Sequence, residues 1–372
     1  MTERNTGIEL LRIVSMFLIV LLHVLGQGGV LWWEPNFSAG YYCVWFLEAI
    51  AYCSVNCFAL ISGYVGIAQA MKSKDSSVRV RKVITLWFQV LFYGVVILGI
   101  FTTISGEPLT IANIKKVLMP ITQSEYWYVT AYVGLFFIMP ILNAAIMNMR
   151  RRQLFGCLLA AYVLLSGLPS LFYLDPFFAN YGYSVLWLAL LYLTGGYICR
   201  YDVAKSFGKK KALLLFIVCT LITWAGKTGA ETLSMKVLGQ IKAGYLFISY
   251  TTPFVVLAAI GLLMTFANIE IKKDGARKVI GSVAKTTLGV YIIHVSPFIF
   301  NNYIYRMTID LIYVPVWKML LMVVVYQLII YLSCTGVEYV RIGIFRLLRI
   351  DKLSAWIERV TRKVFDKIAK DI

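Results

Sequence analysis

The chain has 372 residues, of which 60% are hydrophobic and 15% charged. A soluble domain carries about 45–50% apolar and about 25% charged residues, so a cytosolic enzyme, a secreted disulfide domain and a disordered tail protein are excluded. A net charge of +18 would suggest nucleic acid in a soluble chain, but basic residues also gather in the cytoplasmic loops of membrane proteins.

In chain order, apolar runs of about 17–25 residues predict about ten transmembrane helices. They cover Ile8 to Leu25, Tyr42 to Val65, Val83 to Ile104, Trp127 to Met147 and Leu154 to Phe172. Tyr183 to Cys199, Ala212 to Ala225, Gly244 to Ala267, Thr286 to Phe300 and Val314 to Tyr339 follow. The first run is longer than a signal-peptide core, and Glu9 and Arg12 interrupt its start. With the N-terminus inside, 28 of the 36 Lys and Arg fall on the inner side. Six fall outside, at Lys115, Lys116, Lys227, Lys236, Lys242 and Arg306, and Arg12 and Lys318 lie within spans. That bias predicts an all-α, polytopic membrane helix bundle with both termini cytoplasmic. It also accounts for the charge without a nucleic-acid partner.

Residues 1–340 read as one transmembrane domain and 341–372 as a basic amphipathic tail. Leu348, Trp356, Val360, Val364 and Ile368 fall near helical spacing with basic residues between them. Such a helix is expected on the anionic inner leaflet. The outer loops are too short to hold an independent enzyme, so any chemistry is expected inside the bundle. Seven cysteines lie scattered without a CxxC pair and only two histidines accompany them, so no metal site is expected.

Ionisable groups at membrane depth are costly and mark functional candidates. The first span holds Glu9, Arg12 and His23. Eleven residues at 100° each bring Arg12 and His23 to one stripe of the helix, separated by about 16 Å. Glu9 stands three residues before Arg12, placed for a local ion pair. A single Arg near a helix end usually snorkels to the interface, and a lone membrane His is often a packing residue. An acid, a cation and one of two histidines on one stripe leave a site as open as a packing role, and at a site His23 would suit general-base work. His294, on the ninth span, reads as a polar group lining a path or as a buried packing residue.

Several segments carry a resemblance. GIELLRIVSMFLIVLLHV (Gly7 to Val24) contains an Arg, ten residues and a His, FALISGYVG spans Phe58 to Gly66, and VRVRK spans Val78 to Lys82. YWYVTAYVGLFFIMPIL runs from Tyr126 to Leu142 and TLGVYIIHVSPF from Thr287 to Phe298. In this order they resemble the acyltransferase-3 family of integral membrane acyltransferases, in the branch typified by enterobacterial common antigen O-acetyltransferase. Relatives that decorate lipopolysaccharide often carry a Glu in the fourth-span signature, where this chain has Thr130 and Ala131. It also lacks the esterase-like domain fused to some members.

The resemblance implies a multi-pass protein of the bacterial cytoplasmic (inner) membrane. It would move an acyl group, usually acetyl, from acetyl-CoA or another acyl-CoA to a hydroxyl of an envelope carbohydrate or exopolysaccharide precursor. No permanently bound cofactor is implied. His23 and Arg12 would be catalytic, with Glu9 and His294 supporting, and Arg79 and Arg81 would hold the donor phosphates. Lys82 reads as a topology determinant. Ser62, Tyr64, Trp127, Tyr128 and Tyr291 would border the substrate path. The rival reading is a carrier or flippase for a lipid-linked sugar or acyl compound. Against it, no repeat relates two halves and no pair of Gly- or Pro-broken spans occupies matching positions.

Overall fold

Backbone amides in lipid find no water, so long apolar runs must bond within their own helices. A computed structural model describes residues 5–73, 80–105, 109–121 and 125–368, with no strand among them. Its principal helices are α1 (Thr6–Leu25), α2 (Ala39–Tyr52), α3 (Ser54–Ser73), α4 (Val80–Ser105) and α5 (Ile111–Leu118). Then come α6 (Trp127–Asn148), α7 (Arg151–Tyr162), α8 (Val185–Arg200), α9 (Lys209–Leu238) and α10 (Pro253–Ala267). The last four are α11 (Asp274–Val283), α12 (Thr287–His294), α13 (Val316–Leu347) and α14 (Ile350–Ile368). Local chemistry sets several starts: the Asn5 side chain accepts from the Ile8 amide, Ser38 from Tyr41 and Ser184 from Trp187.

Among the described residues, seven helical stretches are long and apolar enough to cross a membrane. An eighth counts if Asp274–His294 and Pro297–Tyr313, bent by 60°, form one span. The expected sixth and eighth spans are shorter apolar helices, α8 and α10, of 16 and 15 residues.

Other boundaries differ for identifiable reasons. The second span is α2 and α3 meeting at Cys53. The seventh, expected to end at Ala225, is a helix of 30 residues that runs on to Leu238. Lys227 and Lys236 therefore stand inside a helix and not in an outer loop. The helix tolerates Lys227 because the ammonium is buried with partners: Glu231 at 2.8 Å, the Tyr41 hydroxyl at 3.0 Å and the Trp45 ring at 3.1 Å. Gly239, at φ 65°, finally ends α9. Helix α10 begins only at Pro253, after a 3₁₀ turn at Gly244–Leu246. At the other end, α13 runs past Tyr339 to Leu347, so Arg341 is a buried residue of that helix, and the tail helix α14 starts at Ile350.

Helices α3 and α8 approach closely through glycine. A Cβ at Gly63 would lie 1.9 Å from the Tyr192 carbonyl oxygen, and one at Gly195 2.0 Å from that of Leu60. Small residues allow this backbone proximity in the absence of a hydrophobic drive between helices. One core cluster forms around that pair and α10, and the other around α1, α2, α12 and α13. Helices α2, α3, α10, α11, α12 and α13 all pack against α1.

The second cluster contains a buried polar knot. Glu338 on α13 is fully buried and ion-pairs with Arg341, while Tyr93 donates to it at 2.5 Å and Gln89 at 3.2 Å. These bonds tie α13 to α4. Gly289 on α12 leaves room for the carboxylate, since a Cβ there would come within 2.1 Å of it.

Candidate active site

One stripe of α1, formed by Arg12, Met16, Ile19 and His23, lines a cavity of about 400 Å³. Helices α3, α4, α6 and α12 supply much of the remaining wall, including Ser62, Trp127, Tyr128 and Tyr291. Arg12 donates to both oxygens of Glu9, at 3.3 and 3.2 Å, which holds the guanidinium in place. The predicted pair is thus formed on the stripe that the eleven-residue spacing defines.

His23 reaches across the bundle to the other histidine. Its Nδ1 lies 2.9 Å from Nε2 of His294, and His294 Nδ1 lies 2.5 Å from the Val290 carbonyl oxygen. A carbonyl oxygen only accepts, so His294 Nδ1 carries a proton. With both rings neutral, His294 Nε2 then accepts and His23 Nδ1 donates. That leaves the lone pair of His23 on Nε2. His294 is fully buried, His23 half-buried, and the Phe300 ring stands edge-on to His23 at 5.1 Å. A fixed tautomer with one unshared lone pair, in a cavity wall, is chemically able to accept a proton.

Three cations border this cavity: Arg12, Lys82 and Lys285. Lys82, read from sequence as a topology determinant, is therefore part of the wall, and Lys285 was not singled out at all. Its position directly before Thr286 and Thr287, at the start of the His294 helix, is the signal that was available. Arg81 points elsewhere, its guanidinium 3.6 Å from Asp351 on the tail helix. Arg79 lies outside the described residues. Tyr64 packs against the α3–α8 core and not against the cavity.

A family model described as an acyltransferase domain matches residues 5–338, nearly the whole chain. The chain belongs to the acyltransferase-3 family. Comparisons with curated proteins and with solved structures gave no match. The family match covers the entire cavity wall, from Arg12 to Tyr291. This acyltransferase-3 protein is therefore a helical membrane protein whose cavity lies within the acyltransferase domain.

Proposed function

We propose that the protein is an acyl-CoA-dependent O-acyltransferase of the bacterial cytoplasmic membrane. It carries an acyl group, acetyl in the first instance, to a hydroxyl of an envelope carbohydrate or lipid-linked glycan precursor. The observation that carries this reading is the His23–His294 pair, set in the wall of a cavity that also bears Arg12, Lys82 and Lys285. Several phosphates make the donor strongly anionic, and ammonium and guanidinium groups suit phosphate oxygens. Arg79 and Arg81, three and one residues before Lys82, are lesser anchors in this reading, Arg81 being turned toward Asp351. The acetyl group and the kinship with enterobacterial common antigen O-acetyltransferase rest on the resemblance of the sequence motifs.

In the proposed reaction the pantetheine arm lies along the α1 stripe and brings the thioester to His23. An acceptor hydroxyl attacks the thioester carbonyl carbon as its proton passes to His23 Nε2. The carbon–sulfur bond then breaks, and the leaving thiolate takes the proton from the imidazolium. His294 keeps His23 in the tautomer that can accept, acting as a positioning residue. The cavity side of Arg12 meets donor charge, with its rotamer held by Glu9.

Transfer from radiolabelled acetyl-CoA into the envelope glycan fraction tests this, with wild type and His23→Ala compared at matched expression. Label with wild type alone is expected. Equal label in both removes His23 from the chemistry. Absence of label in both, with no acetyl-CoA consumption by purified protein, overturns the acyltransferase reading and leaves the carrier.

A further inference from the structure

In the reading above the first cavity, with its three bordering cations, takes the donor, and the acceptor needs a place of its own. A second cavity, of about 310 Å³, lies between α4, α5 and the segment that follows His294. Its polar wall is formed by Asn113, Lys116, Glu125, Ser296, Asn301 and Asn302. Phe101 and Phe298 add aromatic surface, their ring centroids 4.9 Å apart.

Residues 294–302 separate the two cavities. His294 and Phe300 face His23 from this segment, while Ser296, Phe298 and Asn301 border the second cavity. Tyr126, in the same wall, directly precedes Trp127 and Tyr128 of the first cavity. The second cavity and the histidine pair therefore share this segment as a common wall.

The second cavity extends farther toward the opposite end of the bundle: on α4, Lys82, Val83 and Leu86 border the first, and Val90, Gly94 and Phe101 the second. Lys82 and Phe101 are on the same helix, nineteen residues apart, or about 28 Å at the rise of an α-helix. That is close to the thickness of the hydrocarbon core, about 30 Å. The lining chemistry differs as well. Lys116 and Glu125 neutralise each other at 3.4 Å, and Asn302 donates to the Phe298 carbonyl at 2.8 Å, leaving its amide oxygen to accept. Amides, a hydroxyl, a neutralised ion pair and phenyl faces suit an uncharged polyhydroxyl ring and not a polyphosphate. The volume is at the lower end of ligand pockets, about 300 Å³ and upward, which suits one sugar residue.

We propose that this second cavity is the acceptor site. It holds the sugar that carries the reacting hydroxyl and admits it from the membrane face opposite Lys82. The thioester arrives from the Lys82 side, and the two meet at His23. The inference rests on the acyltransferase reading above and adds where, and from which face, the acceptor binds.

The test uses the full-length protein with exposed Cys157 replaced by Ser and the single added substitution Asn301→Cys. Sealed vesicles of both orientations are treated with the impermeant, charged reagent 2-(trimethylammonium)ethyl methanethiosulfonate, and the untreated variant serves as its own reference. Modification from the face opposite Lys82 should lower transfer from labelled acetyl-CoA into the glycan fraction about tenfold or more. Acetyl-CoA binding should change less than about twofold, because a filled acceptor site loses one substrate only. The proposal is overturned if the thiol, shown by mass to be fully modified, leaves transfer unchanged. It is equally overturned if the reagent reaches the thiol only from the Lys82 face, or from neither. An untreated variant and wild type that both transfer no label bring down the acyltransferase reading itself, a separate and recognisable outcome.

Discussion

Two sets of ionisable groups within the bundle look alike in sequence and differ in what surrounds them. Glu338 and Arg341 sit three residues apart on α13, with Tyr93 and Gln89 completing the carboxylate's bonds. Glu9, Arg12 and His23 share α1, and His23 also lines a cavity. The first set turns its hydrogen-bonding capacity inward on itself and joins two helices. In the second, the bond to His294, itself held by the Val290 carbonyl, accounts for one nitrogen of His23 and leaves the other with its lone pair. An ionisable group at membrane depth is thus a candidate for chemistry when its partners leave capacity unspent beside a space that a substrate can fill.

The contrast is broken most directly at His23. His23→Ala should lower transfer by about 10³-fold, within the range of general-base contributions, with expression and melting temperature in detergent near wild type. A large loss of stability there would place His23 with Glu338 as a structural group. Glu338→Ala should behave in the opposite way. Leaving Arg341 buried without its partner is expected to cost about 3–5 kcal/mol of stability, read as a lower melting temperature. The protein that remains folded should keep its turnover number. His294→Ala sharpens the division within the site. Loss of the tautomer-setting bond should reduce kcat by about 10–100-fold, the size seen for partners that orient metal-ligating histidines, while the KM for acetyl-CoA stays within about twofold.

At the donor mouth the effects should be smaller. Lys285→Ala or Lys82→Ala removes a charge-assisted bond worth about 1.5–3 kcal/mol at most, so the KM for acetyl-CoA should rise about tenfold with kcat little changed. Arg81→Ala should move the KM less than either, because its guanidinium is half exposed and held toward Asp351, a setting where an ion pair contributes about 0–1 kcal/mol. A larger effect at Arg81 than at Lys285 would relocate the phosphate site toward the tail helix.

Particular residues show how far the linear pattern reaches. The Arg12–His23 stripe and the Glu9–Arg12 pair follow from helix periodicity and stand where that periodicity puts them. The partner of His23 does not follow, since His294 is 271 positions away and reaches His23 only when α12 packs beside α1. Lys82 and Lys285 likewise enter one wall from separate segments. Lys227 was misread as a loop residue because a charge in an apolar run normally ends a span. Its Glu231 partner one turn later was visible in the sequence, but the enclosing Tyr41 and Trp45 belong to another helix.

Composition, apolar run length and the 3.6-residue period by themselves determined that this is a helical membrane protein and which face of the first helix bears its ionisable groups. These properties are local, set by desolvation of the backbone and by the geometry of a single helix. Which charges are silenced and which face a cavity was decided only by the tertiary structure. A side chain's protonation and reach depend on the few groups within hydrogen-bond distance, and here those groups come from helices far apart in the chain.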